Sequence, residues 1–301
     1  MKGKQLIFIT LLVLCGMPLY PQDKGLEAVI KDGALVEKLA DGFIFTEGPS
    51  ADRKGNVYFT DQPNDRILAW NLKTGLSVFM QPCGRSNGLA FDSKGYLWSC
   101  ADEKNELWRI SPGKEVDVIA EGFEGKLFNG PNDLWIAPDG SIYFTDPFYR
   151  RAWWDHTGMP QEKMRVYYMS PDHKNIIAVA DDLVQPNGIV GTPDGKTLYV
   201  ADIRGNKTWS YTVNRDGTLS DKTLFCELGS DGMTIDSKGN LYLTGKGVTV
   251  FDKTGKRLGN IPVPENWTAN VCFGGKNLKT LFITASKGFY SIPLKVRGTR
   301  G

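Results

Sequence analysis

"QPNGIVGTPDGKTLYVAD", residues 185–202, carries a β-turn signal at Pro193-Asp194-Gly195, followed by the β-branched and aromatic run Thr197 to Val200. Asn187 stands eight residues before the turn glycine, where an apolar strand should begin. The stretch recurs along the chain. "DRKGNVYFTD" starts at Asp52, "DSKGYLWSCAD" at Asp92, "PDGSIYFTDP" at Pro138 and "DSKGNLYLT" at Asp236, and a looser sixth copy, "GGKNLKTLFIT", starts at Gly274.

The turn glycines Gly55, Gly95, Gly140, Gly195 and Gly239 lie 40, 45, 55 and 44 residues apart. A fixed period of this size marks a repeat fold. Each interval holds short β-branched or aromatic runs between Gly, Asp and Asn turns, with no long helical period. In the second unit the strands read as Leu89 to Phe91, Tyr96 to Cys100, Glu106 to Ile110 and Val116 to Ile119. Four strands per unit and six copies predict an all-β, six-bladed β-propeller with four antiparallel strands per blade. Only Gly288 to Pro293 remains as strand material after the sixth copy, one strand short of a blade, and Ala34 to Leu39 is an orphan strand before the first. The N-terminal strand is therefore expected to close the last blade and remove the open edges. Residues 22–301 read as one propeller domain.

The residue eight positions before each turn glycine is Glu47, Asn87, Asn132, Asn187 or Asp231. In the sixth copy Asn270 lies 12 residues before Phe282, as Asn187 lies 12 before Tyr199. Every one carries a carbonyl or carboxylate oxygen. One Asn in such a place is ordinarily a turn cap. Six in register, including a Glu, converge on one mouth of the channel, where two carboxylates would repel each other unless a cation lay between them. Oxygen-only ligation suits one divalent cation, Ca²⁺ foremost, with Mg²⁺ or Mn²⁺ as alternatives.

The rest of the composition narrows the chemistry. Lys2 and Lys4 precede a nearly uncharged run from Leu6 to Tyr20, so residues 1–21 read as a secretory signal peptide. An exported, periplasmic or secreted protein is expected, with a lipid anchor through Cys15 ranked second because Leu14 precedes it. No stretch is long enough for a membrane-spanning helix. A net charge of +2 without basic blocks excludes nucleic acid as an expected partner. Cys83, Cys100, Cys226 and Cys272 are too scattered for a disulfide framework and read as buried thiols, a Cys83–Cys100 bridge being the alternative. With only His156 and His173, a three-His zinc site is impossible. Neither a GxSxG elbow nor a phosphate loop is present.

The longest interval owes its length to "PFYRRAWWDHTGMPQEK", Pro147 to Lys163, after the second strand of the third unit. That connection emerges on the face where the next first strand begins, so it should overhang the mouth. Phe148, Tyr149, Trp153 and Trp154 would stack a ring, and Arg150, Arg151 and His156 would grip an anionic or hydroxylated group. Trp153 and Trp154 packing the loop against neighbouring blades is the competing reading. Arg85 and Lys246 are further mouth candidates, read by default as solvated charges.

"TEGPS", "NGPNDLWIAPDGSIYFTDP", "QPNGIVGTPDGKTLYVAD", "SDGMTIDSKGNLYLT" and "ANVCFGGKNLKTLFIT" together resemble the senescence-marker-protein/gluconolactonase family, the regucalcin or lactonase-type six-bladed propellers, over residues 34–295. The resemblance implies one divalent cation, usually Ca²⁺ or Zn²⁺, and hydrolysis of sugar lactones, other lactones or organophosphate esters. It implies Glu47, Asn187 and Asp231 as core metal ligands, with Asn132 a fourth ligand or a substrate contact. Animal members place an Arg two residues before the third-blade Asn, and this chain has Gly130 there; the Arg- and Trp-bearing insertion is the available substitute.

The expected activity is metal-dependent hydrolysis of a small-molecule lactone. The cation would polarise the carbonyl, Asp231 would act as general base on water, and Asn132, Asn87, Arg150 and Trp153 would contact substrate. A phosphotriester or aryl ester at the same metal is the second reading. A non-catalytic, Ca²⁺-stabilised propeller that captures a carbohydrate or peptide is the third.

Overall fold

The computed structural model describes residues 24–299, so the signal segment 1–21 and Cys15 lie outside the described residues. Six four-stranded antiparallel sheets are present, together with a two-stranded hairpin, Gly122–Phe123 with Lys126–Leu127. The first strands of the six blades are Thr46–Ala51, Ser86–Phe91, Leu134–Ile136, Pro186–Gly191, Met233–Ile235 and Thr268–Gly274. Each touches the first strand of both neighbouring blades, and that of blade 6 touches that of blade 1. The ring is closed and the propeller is six-bladed.

The second-blade strands fall at Ser86–Phe91, Leu97–Ala101, Glu106–Ile110 and Val116–Ala120, within a few residues of expectation. Closure uses the N-terminal strand, which runs Glu37–Asp41 and pairs antiparallel with Gly288–Pro293 as the outer strand of blade 6. Thr46 Oγ1 of blade 1 adds a bond to the carbonyl of Gly288 at 3.0 Å.

Alternation along each strand sends apolar side chains into the gaps between blades, which gives six hydrophobic clusters, one per interface. At the seam between first and last blades, Phe289 stacks on Phe59 at 4.2 Å and on Phe282 at 5.7 Å. All four cysteines of the described residues are buried and free, as the thiol reading expected. Among the described residues no helix is long and apolar enough to cross a membrane.

The blades are also bolted together by hydroxyls. Thr60, Thr145 and Thr244, near the ends of the second strands of blades 1, 3 and 5, donate to the carbonyls of Asn87, Asn187 and Ala269 in the following blades, at 3.1, 2.7 and 2.7 Å. These bonds fix the backbone of the oxygen-bearing residues relative to the neighbouring sheet.

Phe289 is the side chain on which closure leans hardest. Phe289→Ala should cost about 3–5 kcal/mol of stability, the range for truncating a buried phenylalanine, measured by denaturant unfolding. A loss under about 1 kcal/mol would show that the seam does not depend on this stack.

Candidate functional site

The oxygen-bearing residues lie where the first strands break register. The pairing of first with second strand slips between Glu47 and Ser50, Ser86 and Leu89, Pro186 and Ile189, and Thr268 and Asn270. Asn132 and Asp231 stand just before the shorter first strands of blades 3 and 5. A bulge re-aims the side chain it carries, and bulges of this kind gather beside functional sites.

Glycine follows four of these residues because the first strands approach too closely for any side chain. A Cβ on Gly48 would lie 2.1 Å from the Asn87 carbonyl oxygen, and one on Gly188 would lie 2.7 Å from that of Asp231. On Gly232 it would lie 1.9 Å from the side chain of Asn270. The contacts run from blade to blade, so the six expected residues form one circle around the axis.

Glu47, Asn87, Asn132, Asn187 and Asn270 are all buried. Asn187 Nδ2 donates to Asp231 Oδ1 and to the Tyr149 hydroxyl, both at 2.8 Å, and Trp267 Nε1 donates to Asp231 Oδ2 at 2.6 Å. Asn270 Nδ2 donates across the ring to Asp133 Oδ2 at 3.3 Å. Glu47 Oε2 accepts from the Gly48 N–H at 3.1 Å.

Three carboxyl groups meet here. Burial and then the Asp231 charge push Glu47 well above the usual carboxylate range. Desolvation pushes Asp231 up to about 6 against the hydrogen bonds of Trp267 and Asn187. Burial pushes Asp133 up to about 7 against its bonds to Leu134 and Asn270. Gathering acids in a desolvated place is costly without a cation. Among the described residues, no Lys, Arg or His lies within ion-pair distance of Glu47, Asp133 or Asp231.

The donor set fits a hard divalent cation. Among the described residues, Glu47 Oε1 and Asn187 Oδ1 accept no hydrogen bond and the side-chain amides of Asn87 and Asn132 make none, and these atoms open on the channel rather than being sealed in the core. Such unpaired oxygens are what a hard cation takes up. Among the described residues, no group of three or more His, Cys, Asp or Glu is placed to hold a metal, so the amides of Asn187 and Asn132 have to complete any such shell with Glu47 and Asp231.

The insertion overhangs this mouth as expected. Tyr149 reaches Asn187, and the Phe148 carbonyl accepts from Gln185 at 3.1 Å. Arg151, not Arg150, turns inward: its Nε bonds Asp102 Oδ2 at 2.7 Å, while Arg150 is exposed. Both tryptophans pack against protein groups. Trp154 packs, its indole N–H on the Asp102 carbonyl and its ring against His156 at 4.7 Å. Trp153 lies between two guanidinium groups, Arg85 at 4.6 Å and Arg151 at 5.6 Å. Gly130 has a physical reason to be glycine: a Cβ there would lie 2.9 Å from both Asp102 Oδ1 and the Trp154 ring. Lys246 is exposed, and His173 meets the Trp98 ring in an edge-to-face contact at 4.7 Å.

Asp133, Trp267, Asp102 and Gln62 belong to this site and were not singled out from the sequence. Asp133 had a usable signal, since it takes the place of the glycine that follows the oxygen donor in blades 1, 2, 4 and 5. Trp267 lies outside the repeated motif and had none.

A family model described as "SMP-30/Gluconolactonase/LRE-like region" matches residues 45–287. The chain is similar to a gluconolactonase from Zymomonas mobilis subsp. mobilis, 29% identical over 91% of this chain and 85% of that one. It is similar to a diisopropyl-fluorophosphatase from Loligo vulgaris, 26% identical over 83% of this chain and 88% of that one. Among solved structures, a gluconolactonase from Xanthomonas campestris superposes with a TM-score of 0.83 at 30% identity, covering 90% of this chain and 92% of that one.

Gly232→Ala should force Asn270 off Asp133 and lower stability by about 1–3 kcal/mol, as overpacking of a tight contact does, read by thermal or denaturant unfolding. Unchanged stability would mean that the circle of first strands is looser than described.

Proposed function

The chain belongs to the SMP-30/gluconolactonase/LRE-like family, and we propose that it is a hydrolase that opens a lactone ring at the channel mouth with a divalent cation. Relatives named gluconolactonase and lactonohydrolase support the reaction class. The observation that carries the metal is the circle of unpaired oxygens, Glu47 Oε1, Asn187 Oδ1 and the Asn132 amide, beside carboxylates that have no ion-pair partner among the described residues.

Glu47, Asn187 and Asp231 would hold the ion, with Asn132 completing the set, and Ca²⁺ fits these hard donors ahead of Zn²⁺, Mg²⁺ or Mn²⁺. When bound, the ion supplies Lewis-acid polarisation of the lactone carbonyl. The chain's own residues do the rest. Asn87 and Asn132, whose amides have no protein partner, orient the lactone by hydrogen bonding. Asp231 accepts a proton from the attacking water and returns it to the ring oxygen as the C–O bond breaks, leaving a hydroxy acid. Trp267 and Asn187 hold the two Asp231 oxygens and set its direction. The loop from Phe148 to Trp154 covers the mouth and limits water. Export, expected from residues 1–21, would place the reaction outside the cytoplasm.

Likeness to the diisopropyl-fluorophosphatase favours one second reading, the same site acting on a phosphotriester. Comparing turnover of gluconolactone with that of paraoxon separates the two.

Purified protein should contain about one divalent ion by elemental analysis, and chelation should abolish lactone hydrolysis, with recovery on Ca²⁺ addition. Full activity in metal-free protein would refute the mechanism. Asp231→Asn should lose at least about 10²-fold in kcat, the scale of a removed general base, with the fold intact by circular dichroism. Should Asp133→Asn be the inactive variant and Asp231→Asn the active one, the base is Asp133.

Trp267→Phe removes one indole N–H from Asp231 and nothing else polar. Metal affinity or kcat/KM should fall about 10–100-fold, the usual cost of deleting an outer partner of a ligand. A wild-type value would make the 2.6 Å bond incidental.

A further inference from the structure

We propose that Arg151, held in place by Asp102 and Gln62, determines specificity at this mouth and selects a lactone that bears a carboxylate group. The proposal rests on the lactone-hydrolase reading and adds a substrate class to it.

The argument begins with a repeated aspartate. Asp61, Asp146 and Asp202 end the second strands of blades 1, 3 and 4. Each accepts two backbone N–H groups from the segment leading into its own blade: Ile44 and Phe45, Asn129 and Gly130, Val184 and Gln185. Asp102 follows the second strand of blade 2, but that task is performed there by Asp65, which accepts from Cys83 N at 2.9 Å and Arg85 N at 2.8 Å. The Asp102 side chain is thereby released. It is 1% exposed, and its carboxylate takes only the Gln62 amide at 2.9 Å and Arg151 Nε at 2.7 Å. A buried acid whose bonds all go to side chains at the mouth serves to hold Arg151.

Arg151 spends one donor on this anchor. Its two terminal nitrogens make no hydrogen bond among the described residues, and the side chain is 21% exposed. The rings of Tyr149 and Trp153 each lie 5.6 Å from the guanidinium carbon. With its Nε edge pinned and aromatic rings close by, the guanidinium keeps its outer fork of parallel N–H groups, which matches the two oxygens of a carboxylate. Arg85 places a second guanidinium on Trp153, with Nη1 on the Pro63 carbonyl at 2.9 Å and Nε 3.9 Å from Glu103. The mouth is thus polar in the electrical sense, with Glu47, Asp133 and Asp231 on the axis and two arginines on the wall of blades 1 to 3. A substrate carboxylate gripped by the fork on the wall would point the opposite end of the lactone inward.

The test compares kcat/KM for gluconolactone with that for glucarolactone, which adds a carboxylate to the same polyhydroxylated frame. Wild type should favour glucarolactone. Arg151→Gln should reduce that preference about 10–100-fold, the worth of a charge-assisted fork, mainly through KM. Arg151→Lys should retain part of it, and Asp102→Asn should shift it in the same direction. A wild-type enzyme indifferent to the carboxylate, or a folded Arg151→Gln variant with unchanged preference, would overturn the proposal and leave lactone hydrolysis standing. If neither lactone is turned over, the hydrolase reading fails, and quenching of tryptophan fluorescence by glucarolactone still decides the matter. Saturable quenching lost in Arg151→Gln supports the carboxylate site; equal quenching or none overturns it.

Discussion

The six first strands crowd one axis, and in four of them the closest approach leaves no room for a side chain. Gly48, Gly88, Gly188 and Gly232 satisfy that constraint, each lying within contact of the neighbouring first strand. The residue before each glycine has its backbone locked at the narrowest point, and in blades 1, 2 and 4 the register slip there re-aims its side chain. Each glycine also makes room for a neighbour's polar group: Gly88 leaves space for the Asp133 carboxylate, Gly232 for the Asn270 amide. The pairing of an oxygen donor with a glycine is therefore one device, in which close approach creates the circle and the circle presents the oxygens.

The electrostatics of that circle argue against a purely architectural role. Burial raises all three axial carboxyl groups, and a protein selected only for stability would replace them with well-packed apolar residues. Closure itself does not need them, since it rests on the Phe289 stack and the outer strand Glu37–Asp41.

The ring was legible in the sequence because its signal is periodic: a turn glycine repeats, and the residue eight positions earlier can be counted. Strand closure was legible by subtraction, from an orphan strand at one end and a missing one at the other. Counting one residue per blade also passes over Asp133, for it occupies the next position, where blades 1, 2, 4 and 5 carry glycine. The insertion has no period, so nothing in its sequence told inward from outward. Arg150 and Arg151 are adjacent and chemically alike, and only the position of Asp102 decides that the second one turns in. Asp102 closes the same repeat string as Asp61, Asp146 and Asp202, and its release to a different role depends on Asp65 in another blade.

That release shows how a repeat protein acquires a site of its own. In blades 1, 3 and 4 the aspartate that ends the second strand holds two backbone N–H groups of the entering segment. Transfer of one latch to Asp65 leaves a buried carboxylate uncommitted, and the insertion of blade 3 supplies the cation it needs. The resulting assembly spans three blades, with Asp102 in blade 2, Tyr149 and Arg151 above blade 3, and Asn187 in blade 4. Rigid strands fix the oxygens at the axis, and the irregular segment fixes what approaches them. On the proposed reading, reaction chemistry would be set by the repeat and substrate choice by its exception.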